Sequence, residues 1–374
     1  MKKILFITPF APSNIGAAMK FTKKTIEALA QNHQIDLIYF MAEGESPYSP
    51  DSPNINVIKS IKVTTFDRLL SIASHPWLYP IFSVRYKLCV AKEIRRHMKL
   101  KHYDLMFLDH SQTFIYGKTY PNIPKILMSH DVIYQRVTRS KGALFSAWCH
   151  HTEKVHVRQP NSHVFSFSTK DKQILDQEYC IKSDVTCGNI DDLAYHTIPT
   201  HKTDTYLFFG QWVRKDNLDG LEWFLKHVYP KTPTYMTFKI IGRGLPQHLQ
   251  EYVNVADRIQ YCGFIDNPYQ EIANSRAVLS PLFTGAGVKF KVLESIACGT
   301  PVIGTEIAFE GIPQEYSSFM QIAHTPEEYI YKMQHISYSI DECIAMKRKF
   351  IENYINPSII QYINSLITKK HDTQ

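Results

Sequence analysis

Residues 281–310 read PLFTGAGVKFKVLESIACGTPVIGTEIAFE, and this stretch decides the fold. The apolar run just before it, 277–280, predicts a strand, and Gly285 and Gly287 form a loop whose backbone can approach a ligand closely. Residues 291–298 carry a helical apolar pattern, and Gly299-Thr300-Pro301 closes that helix before a further strand at 301–303. Strand, glycine loop, helix and strand make a βαβ unit of a parallel sheet. Free amides and the positive dipole end of the helix then face whatever the loop holds. Lys289 and Lys291 put positive charge where a helix start disfavours it, which points to a phosphate alongside. Glu294 follows within two turns, placed for its carboxylate to accept both hydroxyls of a ribose. A plain packing element with solvated lysines has the same residues, and a Gly-x-Gly loop alone leaves the two readings level.

The alternation extends outward in both directions. Strands are predicted at 206–209, ending at Gly210, at 238–241, ending in Gly242-Arg243-Gly244, and at 258–261, with an amphipathic helix at 219–228. In the N-terminal half the runs 3–8 (KILFIT) and 35–40 (IDLIYF) flank a Pro/Ser/Gly loop and a helix over 17–30. Continuous apolar runs of this kind suit parallel strands covered on both faces. Further strands are expected near 105–108, 125–128 and 163–167, and helices from about residue 326 onward. The polar, turn-rich segment 188–203 reads as a linker. At roughly 150 residues per domain, 374 residues make about two domains.

Composition bounds the function. A chain 44% hydrophobic and 21% charged is globular, and it excludes disordered, collagen-like and coiled-coil classes. The net charge of +7 favours anionic partners without choosing among them. Seven widely spaced cysteines with no CxxC read as reduced thiols of a cytoplasmic protein. His150, His151 and His156 lack a zinc-type spacing, so no metal site is expected. No apolar run approaches the length of a membrane span.

In order along the chain, several pieces resemble the retaining glycosyltransferases of family 4, the "glycosyl transferases group 1". They are Gly285-x-Gly287-x-Lys289-x-Lys291-x-Leu293-Glu294, then Cys298-Gly299-Thr300-Pro301, and upstream Phe208-Phe209-Gly210, Asn217-Leu218-Asp219, Ile241-Gly242-Arg243-Gly244 and Cys262-Gly263-Phe264. His130-Asp131, the 10–16 loop and Asn189-Ile190-Asp191 resemble the family more loosely. The resemblance implies an α/β, GT-B architecture: two Rossmann-like domains facing each other across a cleft, with C-terminal helices. The acceptor domain would span 1–188, the linker 189–203, and the donor domain 204–374, its last helix packing back on the first domain.

The implied activity is retaining transfer from a UDP- or GDP-linked sugar, with no metal or other cofactor. The acceptor would be a glycan or lipid-linked chain of bacterial surface polysaccharide or lipopolysaccharide. His130, Lys289 and Glu294 would be catalytic. Around the donor the resemblance places Gly16, Gly210, Arg214, Lys215, Gly242 and Arg243, together with the 285–288 loop of Gly285, Ala286, Gly287 and Val288, and Lys291. Two departures stand out. Relatives often carry a Glu where this chain has Ala286, and an Arg where it has Gln211, so Arg214 or Lys215 would substitute. Asp131 and Arg136 are weaker candidates.

Residues 62–102 hold nine Lys and Arg against two acids, interleaved with Trp77, Tyr79, Phe82 and Tyr86. Arg95, Arg96, Lys99 and Lys101 on one helix suit an anionic acceptor, or peripheral contact with the inner face of an anionic membrane. A solvated helix face over a buried aromatic stripe fits equally, and no nucleic-acid motif is present. An epimerase or hydrolase on the same fold, and a non-catalytic nucleotide-binding partner, stay open as alternatives.

Overall fold

The computed structural model describes residues 1–14, 16–186, 190, 192–285, 287–354 and 359–368. The chain divides into two units, Met1–Cys187 with Pro357–Gln374, and Gly188–Asn356. The first contains β1 (Lys2–Thr8), α1 (Ala17–Ala30), β2 (His33–Ala42), β3 (Ile55–Val63), α2 (Thr65–Ser74), α3 (Pro80–Ser83) and α4 (Leu88–Leu100). It continues with β4 (Leu105–Asp109), β5 (Lys125–Ser129), α5 (Ile133–Ser140), α6 (Ala143–Val157), β6 (Ser162–Ser166), α7 (Thr169–Gln177) and β7 (Ser183–Val185). All seven strands run parallel in the order β3-β2-β1-β4-β5-β6-β7.

The strands expected at 3–8, 35–40, 105–108, 125–128 and 163–167 form as β1, β2, β4, β5 and β6. Ile4, Leu5, Phe6 and Ile7 are all fully buried, so both faces of β1 are covered, as its unbroken apolar run requires. Phe6 stacks on Phe107 of β4 at 4.3 Å, while Leu5, Ile7, Met106 and Leu108 pack on the opposite face. Sequence reading places no strand at β3. Its exposed Lys59 and Lys62 belong to an edge strand, which needs only one apolar face.

The second unit contains α8 (Asp192–His196), β8 (Thr205–Phe209), α9 (Lys215–His227), β9 (Thr237–Ile241), α10 (Gln247–Asn254), β10 (Ile259–Gly263), α11 (Tyr269–Asn274) and β11 (Ala277–Ser280). After these come α12 (Phe290–Ala297), β12 (Val302–Gly304), β13 (Met320–Ile322), α13 (Pro326–His335) and α14 (Ile340–Tyr354). Its parallel sheet has the order β10-β9-β8-β11-β12-β13, the doubly wound pattern of nucleotide-binding folds. Phe208, Phe224, Phe238 and Tyr329 pack edge to face in its core. The final helix, α15 (Ile359–Thr368), returns to the first unit: Asn364 bonds His33 at 2.9 Å and Tyr362 bonds His163 at 2.8 Å.

Part of the expected linker packs into the second unit. Ala194 of α8 is fully buried, and the Lys347 ammonium donates to the carbonyls of Ala194 and Tyr195 at 3.1 and 2.7 Å and to that of Ala297. Lys202 closes the ends of α11 and α12 by donating to Ala273, Ser275 and Gly299 carbonyls. Both lysines satisfy helix carbonyls that would otherwise be orphaned. Asn189 and Asp191 lie outside the described residues.

Candidate active site: clusters at two sets of strand ends

In a doubly wound sheet, ligands bind beyond the carboxyl ends of the strands, where the order of winding reverses. The reversal lies between β1 and β4 in the first unit and between β8 and β11 in the second. Both places hold chemistry.

At the second, the loop after β8 and the loop after β11 are tied together. Asn217 of α9 donates to the Gln211 carbonyl at 2.9 Å and accepts from the Lys291 ammonium of α12 at 2.8 Å. Gly220 lies so close to the 281–289 loop that a Cβ there would collide with the Pro281 carbonyl. Gly242 has φ 130°, and a Cβ on it would strike the Gly210 carbonyl, so the turns after β8 and β9 pack backbone to backbone. Gly285 and Gly287 have φ 115° and 70°, conformations that favour glycine, and Lys289 is the residue before α12. Ala286 lies outside the described residues. Gly287 and Val288 are buried and Gly285 is half-buried.

The lysines and arginine are more engaged than a solvated or wholly ligand-facing set. Lys289 donates to the Gly287 carbonyl at 2.5 Å and lies 4.0 Å from Glu310. Arg214 forks onto Asp216, Nε to Oδ1 at 3.1 Å and Nη2 to Oδ2 at 2.8 Å. Lys215 points outward and pairs with Asp219 at 2.7 Å. Burial pushes the Lys291 ammonium down to about 7, against the pull of Asp216. Arg243 stacks over Phe264 at 3.7 Å. Glu294 accepts from the buried Tyr269 hydroxyl, whose pKa is pushed far up by burial and by Glu294. Asp216 and Asn217 were not read as site residues. Counting cations along the sequence gave no sign of the carboxylate set among them.

At the first unit's reversal, Asp109 ends β4 fully buried. Its Oδ2 accepts from Thr8 at 2.9 Å and Thr22 at 2.6 Å, and its Oδ1 from His130 Nε2 at 2.7 Å. Burial alone would raise this carboxyl, yet His130, His110 and its hydrogen bonds hold it down at about 2. Since an ionised carboxylate only accepts, His130 carries its proton on Nε2. Among the described residues no group bonds its Nδ1, which is left as an acceptor. The His110 ring stacks on His130 at 3.5 Å; burial, and then His130, push its pKa down to about 3, so it is neutral near pH 7. His110 adopts φ 62°, a strained backbone for a non-glycine residue, and its Nε2 is buried without a partner.

Asp109, His110 and His130 are close enough to suggest metal ligands. Two ligand atoms on one tetrahedral zinc stand about 3.3 Å apart, whereas 2.7 Å is a hydrogen bond, and Asp109 already accepts three. The set is therefore an acid–imidazole dyad. His130 was read from sequence and Asp109 was not, although a charged residue closing the buried run Leu105–Leu108 is a signal in itself. Gly16, φ 83°, precedes α1, and its carbonyl accepts from Lys20 N. Asp131 and Arg136 bracket the start of α5, whose first amides at Ile133 and Tyr134 are capped at 3.0 and 3.1 Å by the buried Glu153.

On α4, Arg95 and Lys99 are exposed and Arg96 pairs with Glu93 at 2.5 Å; Lys101, expected on the same helix, instead follows its end in extended backbone and pairs with Asp36 at 2.6 Å. The described cysteines are free thiols. No helix among the described residues is long and apolar enough to cross a membrane.

Residues 203–337 match the family model described as Glycosyl transferases group 1. The chain is similar to an uncharacterized 44.6 kDa protein in the cps region of Klebsiella pneumoniae, 28% identical over 144 residues, or 36% of each chain. The match thus spans about a third of that relative's length. Among solved structures, sucrose-phosphate synthase from Thermosynechococcus elongatus superposes with a TM-score of 0.71 at 14% identity, over 100% of both chains. HepE from Anabaena, solved in complex with UDP, gives 0.66 at 14% identity, again over 100% of both. At such identities the likeness carries the fold. The chain thus has the GT-B fold of two Rossmann-like domains, and its residues 203–337 resemble the glycosyl transferases of group 1.

Proposed function

We propose that the protein is a retaining glycosyltransferase that moves a sugar from a nucleoside diphosphate, UDP or GDP, to a glycan or lipid-linked acceptor of surface polysaccharide or lipopolysaccharide. The observation that carries this is the second unit's reversal point, where glycine loops, a helix start and the half-buried Lys291 come together. Such a place binds a diphosphate through backbone amides and charge. As the sugar–phosphate bond breaks, charge grows on the leaving oxygen, and Lys289, Lys291, Arg214 and the loop amides offset it with no metal ion assigned. Glu294 takes the ribose hydroxyls. The departing phosphate accepts the acceptor's proton on the face it leaves, which gives retention without a carboxylate nucleophile. His130, oriented by Asp109, takes a hydrogen bond from a sugar hydroxyl at Nδ1.

A lipid-linked acceptor at the cytoplasmic face of the membrane is supported by α2. That helix buries Ser71 and turns Phe66, Leu69 and Leu70 outward, 73%, 64% and 54% exposed, beside exposed Arg68. The dyad also favours a second reading, hydrolysis, since the same Nδ1 can take a proton from water. A thermal-shift screen of UDP, GDP and ADP names the nucleotide. Release of nucleotide from its sugars, followed with and without extracted lipid-linked glycan, then separates the readings. Acceptor-dependent release with the anomeric configuration kept supports the transferase. Equal release without acceptor overturns it in favour of hydrolysis.

A further inference from the structure

Arg85 is a half-buried cation with no ion pair among the described residues, Glu45 acting on it only through its field. It lies in the short loop between α3 and α4, and the buried Tyr116 hydroxyl pins that loop by donating to the Arg85 carbonyl at 2.7 Å and accepting from Lys87 N at 2.9 Å. The guanidinium extends over the ring of Phe10, just past β1, at 5.4 Å and that of Phe40, near the end of β2, at 5.7 Å. Among the described residues it makes no side-chain hydrogen bond and no ion pair, so its forked donors are unspent. A guanidinium taken out of water in this way is costly unless an anion joins it. Its neighbours sharpen the need: Arg68 of α2 adds positive potential, and burial with Arg68 draws the Arg85 pKa down to about 10.

A second open valence lies across the same ring. Phe10 packs edge-on against His110 at 5.2 Å, and His110 is 7% exposed with its Nε2 unpartnered. The Asp109 carboxylate does not serve either group: it is filled by Thr8, Thr22 and His130, and lies 3.9 Å from His110 Nε2. Phe10, Phe40, Arg85 and His110 thus gather at the carboxyl ends of β1, β2 and β4, the ligand side of this sheet.

We propose that Arg85 is the receptor for an anionic group of the acceptor, a phosphate bound in fork geometry on the aromatic platform of Phe10 and Phe40, with neutral His110 as the adjacent polar wall. Arginine suits this role because its planar donors match a phosphoryl group and its face tolerates aromatic contact. The inference rests on the transferase reading and narrows its acceptor to one bearing phosphate, as a lipid-phosphate-linked sugar or a phosphorylated sugar does.

The test uses the full chain saturated with UDP, so that the second unit's anion site is filled. Inorganic pyrophosphate is then titrated calorimetrically into wild type, Arg85→Met and Arg85→Lys, with sodium glucuronate as the carboxylate arm. Pyrophosphate binding that falls more than tenfold in Arg85→Met, and partly in Arg85→Lys, is the expected result. The Arg85→Met melting temperature should hold or rise, because an unpaired cation is gone, whereas a structural arginine would lower it. Absence of a pyrophosphate event in UDP-saturated wild type, equal binding in all three proteins, or preference for glucuronate overturns the proposal. If UDP fails to bind, GDP takes its place, and only failure of both makes the transferase reading fall separately; titrating wild type against Arg85→Met without nucleotide still decides the Arg85 site.

Discussion

Asp109 and Lys291 stand at matching places in their sheets, each beside the strand pair where winding reverses, and they are held in opposite ways. Asp109 is a buried acid whose three hydrogen-bond donors are all protein groups, and it leaves one imidazole nitrogen of His130 open. Lys291 is a half-buried base held by one amide oxygen, among glycines at positive φ, with Arg214 already spent on Asp216. On the function proposed above, one topology supports a proton-handling dyad in one unit and an anion receptor in the other. The difference lies in the loops and the first turns of helices, and the strands are interchangeable in kind.

The sharpest way to break the comparison is to remove the dyad. Asp109→Asn keeps an acceptor for Thr8 and Thr22 but lets the His130 proton move to Nδ1, closing the open acceptor. Turnover should fall by about 10²-fold or more with nucleotide affinity within about twofold of wild type, measured by steady-state kinetics and calorimetry. A parallel loss of nucleotide affinity would mean that the two clusters are not separate in function.

Lys291→Met should weaken nucleotide binding by more than about tenfold, through loss of a charge-assisted contact. Its pH signature sharpens the test. The folded-state pKa of about 7 lies below the ordinary 10.5, so between these values the folded chain binds fewer protons than the unfolded one, and stability rises with pH across that window. An anion beside Lys291 restores the proton, so nucleotide binding above pH 7 should take one up and weaken toward pH 9. Calorimetry in buffers of different ionisation enthalpy reads this uptake directly, and Lys291→Met should abolish it.

Glu294→Ala, which removes the proposed ribose contact, should cost about tenfold in affinity for a ribonucleoside diphosphate and leave pyrophosphate binding unchanged. The smallest effect belongs to Asp216→Asn. Freeing Arg214 from its carboxylate should tighten nucleotide binding a few-fold; weaker binding would make Asp216 a ligand-side group instead of a competitor.

The strands were legible because both faces of these sheets are covered, which turns KILFIT and IDLIYF into unbroken apolar runs. The edge strand β3 was not, since Lys59 and Lys62 interrupt it. The glycines at 285 and 287 announced a tight loop, and their positive φ values agree. What sequence did not supply were pairings across distance. Lys291 meets Asn217 from 74 residues away, and Asp109 meets Thr8 from 101. Lys291 therefore shows in sequence only as a charge for a phosphate, because a partner distant in sequence leaves no local pattern. Arg85 is the reverse case: it resembled one more cation in a basic segment, and only the structure shows it half-buried over two aromatic rings with no ion pair among the described residues.

The division of labour between the clusters is tested most directly by one paired titration. The nucleoside diphosphate chosen by the thermal-shift screen is titrated into wild type, Lys291→Met and His130→Ala, and nucleotide release from its sugar is measured on the same samples. The expected result is affinity lost in Lys291→Met and kept in His130→Ala, with turnover lost in both. Affinity kept in Lys291→Met and lost in His130→Ala would contradict it.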